Sequence, residues 1–384
     1  GNEGSHTLLL LDGHKVTITG GQPNLDVIPL DQIERIEISK GPFSSLYGPG
    51  AIGGVIHIFT DKNINSVSGS KVDVSYGSNG IKKININTYF KGQKSYLDVA
   101  FTDFHTDGID ATGDGDLDPI DRKTLGLNFG TEITEKTSIS LNILNTKADI
   151  QYDDSWSTPK PDNNLNQFNF GVSQIMSNRF KINFDIMRQN TQRRGDKYKL
   201  NTMSLINELD FDNSKLSLGF SNSVDKDVGN VKVIKHTDIF TQWQRLIIDN
   251  ELSIGARIID HDKFSTHTTY NFNWAKDLSP TLIINGSYGS ATNLPDHYKS
   301  NLNITQGQTD LKPERSKNFE LGLTKEYGWG TTGIKLYKSR VSDAFTYLDP
   351  DNNWLTDNAY YKNDGTVIIK GAELILDTEL FGWK

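Results

Sequence analysis

From about Val67 onward the chain alternates between apolar and polar residues. Ile84 and Ile86 stand against Asn85 and Asn87, and Leu97, Val99 and Phe101 against Asp98, Ala100 and Thr102. Ile139, Leu141 and Ile143 alternate with Ser140 and Asn142; Phe168, Phe170 and Val172 follow; Ile182, Phe184 and Ile186 alternate with Lys181, Asn183 and Asp185. The pattern recurs at Leu216, Leu218 and Phe220 and at Leu252, Ile254 and Ala256. Period two places successive side chains on opposite faces of a strand. Helical spacing is sustained nowhere, and about sixteen strands are predicted between Val67 and the last residue.

The connections fall into two classes. Short turns are predicted near Gly92–Lys94, Glu132–Glu135, Met176–Arg179, Asp212–Ser214, Ile248–Asn250, Asp277–Pro280 and Glu326–Gly330. Long polar segments alternate with them at Phe104–Arg122, Asn145–Leu165, Gln189–Tyr198, Ala291–Arg315 and Tyr347–Asn358. Alternation alone also fits a soluble β-sandwich or propeller. Short turns at one end of the strands and long loops at the other describe an outer-membrane β-barrel, in which only alternate residues face lipid.

Residues 1–62 have a different texture. Apolar runs at Leu8–Leu11, Val27–Leu30, Ile33–Ile38 and Val55–Phe59 are separated by the turn signals Asp12-Gly13, Gly20-Gly21, Gly41-Pro42 and Gly48-Pro49-Gly50. This predicts a small domain of buried strands and tight loops ahead of a barrel at 63–384. Ile33, Ile36 and Ile38 are expected to bury against Val55, Ile56 and Ile58.

Composition then narrows the class. The 384 residues include no cysteine, which removes disulfides, cysteine metal sites and thiol nucleophiles. A net charge of −8 with no long basic run argues against a nucleic-acid partner. A mean hydropathy of −0.50 and 35% hydrophobic residues look soluble, but a barrel needs no long apolar run. No Ser/His/Asp elbow, P-loop or HExxH motif occurs, so an enzyme is not expected. The chain opens at Gly1 without an initiator Met or signal segment, and ends at Lys384 just after a strand-like run. It is therefore expected to be a piece of a longer protein.

The segment Ile28–Thr60, which contains IERIEISKGPFSSLYGPGAIGGVIHIFT, resembles the plug-domain signature of TonB-dependent outer-membrane receptors. Ser287–Pro295, Asp310–Gly322 (DLKPERSKNFELG), Val341–Phe345, Tyr361–Gly365 and Lys370–Glu373 resemble strand and loop ends of that family's barrel, in the expected order. Within the family the likeness is closest to the cobalamin receptors. The resemblance implies an all-β membrane protein, an antiparallel transmembrane β-barrel of which about sixteen of some 22 strands are present, with the C-terminal part of an N-terminal plug. It implies a monomer in the outer membrane of a Gram-negative bacterium, embedded in bilayer and lipopolysaccharide. The implied activity is energy-coupled import of a bulky, scarce solute, driven by the TonB protein acting through a segment absent here. Cobalamin or another corrinoid is the first expectation for the ligand, and a ferric siderophore or haem the alternative. From another class, a surface adhesion barrel or a passive porin is the competing reading; a porin would lack the plug signature.

Candidate site residues follow. Thr17, Thr19, Gly20, Gly21 and Gln22 sit where an apical plug loop meets substrate in related receptors, and supply hydroxyl, amide and backbone donors to a large polar ligand. Glu34, Arg35, Glu37 and Lys40 are candidates for a lock between plug and barrel, against the plainer reading of solvated strand charges. Gly41, Pro42, Gly48, Gly53 and Gly54 are plug turns in a cramped lumen. Asp110, Asp114, Asp116, Asp118 and Asp121 crowd one long loop, and Asp149, Asp153 and Asp154 lie at the next. Such carboxylates suit a hard cation held at about 2.3–2.6 Å. The spacing matches an EF-hand only in part, since Thr112 stands at position three and Asp121 at position twelve. The resemblance to cobalamin receptors implies calcium at these loops; a solvated acidic loop is the alternative, and no cofactor is required. The eight histidines form no ligand cluster; His261 and His267 flank one hairpin loop, and His297 beside Tyr298 is the sole hint of a haem or zinc ligand. Tyr76, Phe90, Tyr96, Trp243, Trp274, Tyr337 and Trp383 lie near strand ends, where interfacial aromatics or an ordinary core place them equally well.

Overall fold

Sixteen of the strands join into one sheet whose burial pattern is inverted relative to a soluble protein. A computed structural model describes residues 4–16, 21, 24–60, 67–110, 113, 115–151, 162–193, 195–230, 232–248, 250–308, 311–352 and 358–378. The sheet is built from β5 (Gly69–Tyr76), β6 (Lys82–Lys91), β7 (Ser95–Thr106), β8 (Ile120–Thr134), β9 (Thr137–Ile150), β10 (Asp162–Ser177), β11 (Phe180–Arg193) and β12 (Asp196–Phe211). It continues through β13 (Ser214–Asp227), β14 (Lys232–Ile247), β15 (Asn250–His261), β16 (His267–Ser279), β17 (Leu282–Asn293), β18 (Glu314–Tyr327), β19 (Gly330–Ser342) and β22 (Thr366–Thr378). Each strand pairs antiparallel with its neighbours in chain order, and β5 and β22 are the two ends.

On β10, Asn163, Leu165, Gln167 and Asn169 are buried on the inner face while Phe168 points outward and is exposed. On β14, His236, Asp238, Phe240 and Gln242 face inward and Ile239 outward. Apolar residues that gave the alternation its signal (Ile84, Ile86, Ile143, Phe168, Ile186, Leu218, Phe220, Ile254) are the exposed ones, and the polar residues between them are more covered. This is the pattern of a wall with lipid outside and a filled lumen inside.

The two rims differ as the sequence predicts. Seven turns at one rim take three residues at 92–94 and two at each of the others. The opposite rim carries the connections 107–119, 151–161, 294–313 and 343–365. The longest hold α2 (His297–Thr305) and a hairpin of β20 (Phe345–Leu348) with β21 (Tyr360–Asn363). The expected long loop at Gln189–Tyr198 is a correction: β11 and β12 run through it in register to Arg193↔Asp196, leaving 194–195 as the connection. Crossing a bilayer takes about 9–11 residues per tilted strand. These strands have 14 and 16, so their surplus stands in water and is polar on both faces while still paired.

Residues 4–16, 21 and 24–60 fold inside this wall. β1 (Thr7–Leu11) lies parallel to β4 (Gly54–Thr60); β2 (His14–Lys15) and β3 (Ile33–Lys40) flank them antiparallel, giving the order β2-β1-β4-β3. Leu9, Leu11, Val16, Val27, Ile28 and Ile58 form one core, which the wall residues Leu144 and Leu165 complete. Ile52 packs on Ala291, Val341 and Ala344 of the opposite wall. The plug thus borrows apolar surface from the barrel. Between β3 and β4, the chain turns through α1 (Ser44–Tyr47), which ends at Gly48 with φ +88°. Gly54 (φ +153°) allows β3 and β4 to close, since a Cβ there would lie 2.4 Å from the Ser39 carbonyl oxygen.

The burial expected for β3 is corrected in part. Ile33 packs against the core, but Ile36 and Ile38, paired with Ile58 and Ile56, are 52% and 67% exposed. β3 is the edge of its sheet, so its apolar side chains share the core's face without lying under it.

Outward residues in the middle of the wall should resist charge far more than those at its rim. Ile254→Arg is expected to destabilise the barrel by about 2–4 kcal/mol and Asp260→Arg, on the same face near the long-loop rim, by about 0–1 kcal/mol. Urea unfolding of the protein folded into lipid vesicles measures both.

Candidate functional site

The place where plug meets wall is built from polar residues that the inverted pattern leaves inside. Arg257 is the inward residue of β15 between Gly255 and Ile259, and is 4% exposed. Its Nε donates to the Ser45 carbonyl at 3.2 Å, its Nη2 to the Leu46 carbonyl at 2.6 Å, and its Nη1 to Asp238 Oδ2 at 2.9 Å. The guanidinium carbon lies 4.2 Å from the centre of the Phe240 ring. A buried cation is tolerated only with a counter-ion and filled donors, and Asp238 with two carbonyls provides them.

Other contacts fasten the same plug segment. Ser45 Oγ donates to Asn271 Oδ1 at 2.7 Å, the Gly50 amide to the Thr292 carbonyl at 2.9 Å, and Asn318 Nδ2 to the Ile52 carbonyl at 3.1 Å. At the long-loop rim His6 Nε2 and Glu314 Oε2 are 2.8 Å apart, with both side chains buried. Glu314 also accepts from Asn293 Nδ2 and the Phe345 amide, each at 2.9 Å. On the opposite side of the plug, Asp31 pairs with Lys83 of β6 at 2.6 Å.

Of the lock candidates, Lys40 reaches the wall, with its Nζ 2.5 Å from Glu373 Oε1 on β22. Arg35 pairs instead within the plug, with Glu37 at 2.8 Å and Glu34 at 3.4 Å, and lies over the Phe59 ring. All three of those charges are about half exposed. Of the turn candidates, Gly41 takes φ +106° with Glu320 beside it, while Pro42 packs near Gly289. Gly53 donates its amide to the His6 carbonyl.

Among the apical-loop candidates, Gly21 is buried, and Thr17, Thr19, Gly20 and Gln22 lie outside the described residues. The described neighbours His14 and Lys15 line a luminal cavity of about 520 Å³ with Tyr47, Gly48, His236, Asp238, Phe240 and Arg257. Burial pushes the Lys15 ammonium down to about 8, against the opposing pull of Asp225 and Asp238. A second cavity, of about 720 Å³, opens at the short-turn rim beneath Phe43 and Lys40.

Asp114, Asp153 and Asp154 also lie outside the described residues. Asp110 accepts the amides of Gly113 and Gly115, and Asp116 accepts from Gln151. Asp121, Asp149 and Asp162 fall side by side on β8, β9 and β10 at the loop rim. Among the described residues no group of three or more carboxylates or histidines converges as a metal site. Asp118 Oδ1 and Asp149 Oδ1 are nonetheless buried without a hydrogen-bond partner, which suits a hard cation.

Sequence reasoning missed Arg257, His6–Glu314, Asn318 and Asp31–Lys83. Arg257 alone carried a signal: a charge between Ala256 and Ile258 in a strand that otherwise reads as membrane-spanning. The others are ordinary polar residues whose partners lie up to 308 positions away.

Two expectations follow. Glu314→Ala removes the acceptor of three buried donors and is expected to lower stability by about 3–5 kcal/mol, read from urea midpoints. The folded chain holds the Lys15 proton less tightly than the unfolded one. Stability is therefore expected to rise as pH climbs through the range from about 8 to 10.5, and Lys15→Met to flatten that rise; urea midpoints at about pH 7.5 and 9.5 decide.

The barrel model of the TonB-dependent receptors ("TonB dependent receptor-like, beta-barrel") matches residues 60–384, and the "TonB-dependent Receptor Plug Domain" model matches residues 1–55. The chain is 24% identical to the vitamin B12 transporter BtuB of Vibrio vulnificus (strain YJ016), over 93% of this chain and 63% of that protein. It is 25% identical to the protein of the same name from Vibrio cholerae serotype O1 (Classical Ogawa 395), over 97% and 64%. The chain thus spans a little under two thirds of the length of these relatives. Among solved structures, the siderophore receptor PirA of Acinetobacter baumannii superposes with a TM-score of 0.79 at 16% identity, covering 98% of this chain and 71% of that one. The copper transporter OprC does so with 0.80 at 15%, covering 99% and 69%. At such identities the likeness shows the fold alone. The family models cover the plug and then the wall in chain order, the same order in which the structure nests one inside the other, and the chain belongs to the TonB-dependent receptors of the Gram-negative outer membrane.

Proposed function

We propose that this chain is the plug-and-wall portion of an importer that takes a bulky, scarce solute across the outer membrane, with a corrinoid such as cobalamin as the ligand. The observation that carries the reading is the plug itself: a four-stranded sheet seated in the lumen by buried, hydrogen-bonded contacts that a passive pore has no use for. A plug held by many small polar contacts is suited to being displaced by mechanical work, which in this proposal the TonB protein supplies. The corrinoid assignment draws support from sequence relatives that bear the name of a vitamin B12 transporter. A ferric siderophore is the second reading, favoured by siderophore and ferric enterobactin receptors among the solved structures with the same fold.

Calcium at the acidic loops belongs to the same proposal. Asp118, Asp121 and Asp149 are the described residues that would hold it, and the bound cation would neutralise the rim and order the loops around the ligand. The test is titration of the whole refolded receptor with cyanocobalamin and, separately, with ferric siderophores, each in calcium and in chelator, followed by tryptophan fluorescence. Saturable cyanocobalamin binding that weakens in chelator is expected. Binding of a ferric siderophore in its place would overturn the corrinoid assignment, and equal affinity with and without calcium would overturn the cation.

A further inference from the structure

On β14 and β15 the two luminal cavities are separated by one inward-facing residue each; on β12 and β13 their linings meet directly, at Glu208 and Asp210 and at Ser217 and Lys215, where Lys215 pairs with Glu208 at 3.3 Å. On β14, Phe240 lines the inner cavity and Gln244 the one at the short-turn rim, with Gln242 between them. On β15, Arg257 lines the first and Ser253 the second, with Gly255 between them. The Gln242 side chain lies across Gly255 and bonds Ser253. On the plug side the partition is α1: Tyr47 and Gly48, at its C-terminal end, face the inner cavity, and Phe43, at its start, faces the outer one. The helix packs against β14, β15, β16 and β17.

A single turn of helix leaves its last carbonyls without intrahelical partners. In α1 the Ser44 carbonyl accepts the Gly48 amide, and the Ser45 and Leu46 carbonyls both go to Arg257. The cation also complements the negative end of the helix. It is held in place by Asp238, itself bonded by Ser221, and by the face of Phe240. Phe240 in turn packs against Gly219, where a Cβ would lie 2.0 Å from a ring carbon. The wall side of the contact is thus a paired, stacked cluster, and the plug side is one short turn of helix.

We propose that Arg257 is the positioning residue that seats α1 against β14–β17, and that unseating this helix joins the two cavities into the route by which the solute leaves toward the short-turn rim. The route rests on the import reading above; the seat does not. Releasing Ser45 and Leu46 from Arg257 leaves α1 on the weaker side-chain contacts of Ser44 with the Thr292 backbone and Ser45 with Asn271, while Asp238 and Phe240 keep the arginine folded against β14. The partition then reduces to Gln242, a long side chain over Gly255, and to the Glu208–Lys215 pair between β12 and β13.

The experiment uses the whole receptor in proteoliposomes and reads the entry of uncharged sugars of graded size, which needs no knowledge of the ligand. Arg257→Gln is expected to raise sugar entry by about tenfold or more, the scale of a lost charge-assisted pair of hydrogen bonds. Arg257→Lys, which keeps a charge for Asp238 but cannot fork to two carbonyls, should fall between. Mobility of the unheated protein on a gel controls for a folded barrel. A second variant adds Ser45→Cys and Asn271→Cys, whose native side chains touch, with any cysteine of the receptor outside this cysteine-free chain changed to serine. Oxidation is expected to close the leak of Arg257→Gln, and reductant to reopen it. A folded Arg257→Gln protein that stays tight would overturn the proposal, as would a leak that the disulfide does not close. The oxidised cysteine pair in the otherwise native receptor should bind cyanocobalamin but not pass it. Failure of that binding would count against the corrinoid reading, whereas passage through the locked protein would count against the route.

Discussion

Lipid offers a backbone no hydrogen bonds, and the whole molecule follows from that. Every amide in the wall must pair with a neighbouring strand, so the spanning part can only be one continuous antiparallel sheet. Once the sheet is fixed, period two divides each strand between two solvents. The hydrocarbon takes Phe168, Ile239 and Ile254, and the lumen takes Gln167, Asp238 and Arg257. Polar residues are thereby buried in numbers that a soluble core does not tolerate.

Those buried polar groups need partners, and the plug is made of partners. It presents backbone carbonyls at Ser45, Leu46 and Ile52, a histidine at His6 and a carboxylate at Asp31, and the wall answers with Arg257, Asn318, Glu314 and Lys83. Its apolar contacts are fewer, with Leu144 and Leu165 on one side and Ala291 and Val341 on the other. An apolar interface of this extent would hold by its area; a polar one holds by geometry and gives way when a few bonds shift together.

Much of the fold was legible in the sequence because lipid favours alternation along each crossing. The short turns were legible for the same reason, since nothing but a tight reversal fits there. Legibility ended where strands leave the membrane. Gln189–Tyr198 lost its apolar phase and read as a loop, yet its backbone stays paired in water. It ended again at β3, where alternation correctly gave the face of Ile36 and Ile38 but not that this strand is the edge of its sheet. For the site, the charges of the plug motif were visible, but their partners were not. Arg35 turns back to Glu37 while Lys40 crosses to Glu373, and no spacing distinguishes the two.

The sequence by itself determined that the chain is a transmembrane sheet with a small glycine-rich domain ahead of it, because periodicity and turn chemistry are local and survive without a partner. Tertiary structure alone decided which inward residues hold the plug. The hand of Arg257 on α1 joins positions 212 apart, and His6 meets Glu314 across 308. Inside the lumen, polar residues of one type are interchangeable in pattern. Which of them becomes a seat depends on what the curvature of the wall brings within about 3 Å, a length that no one-dimensional pattern records.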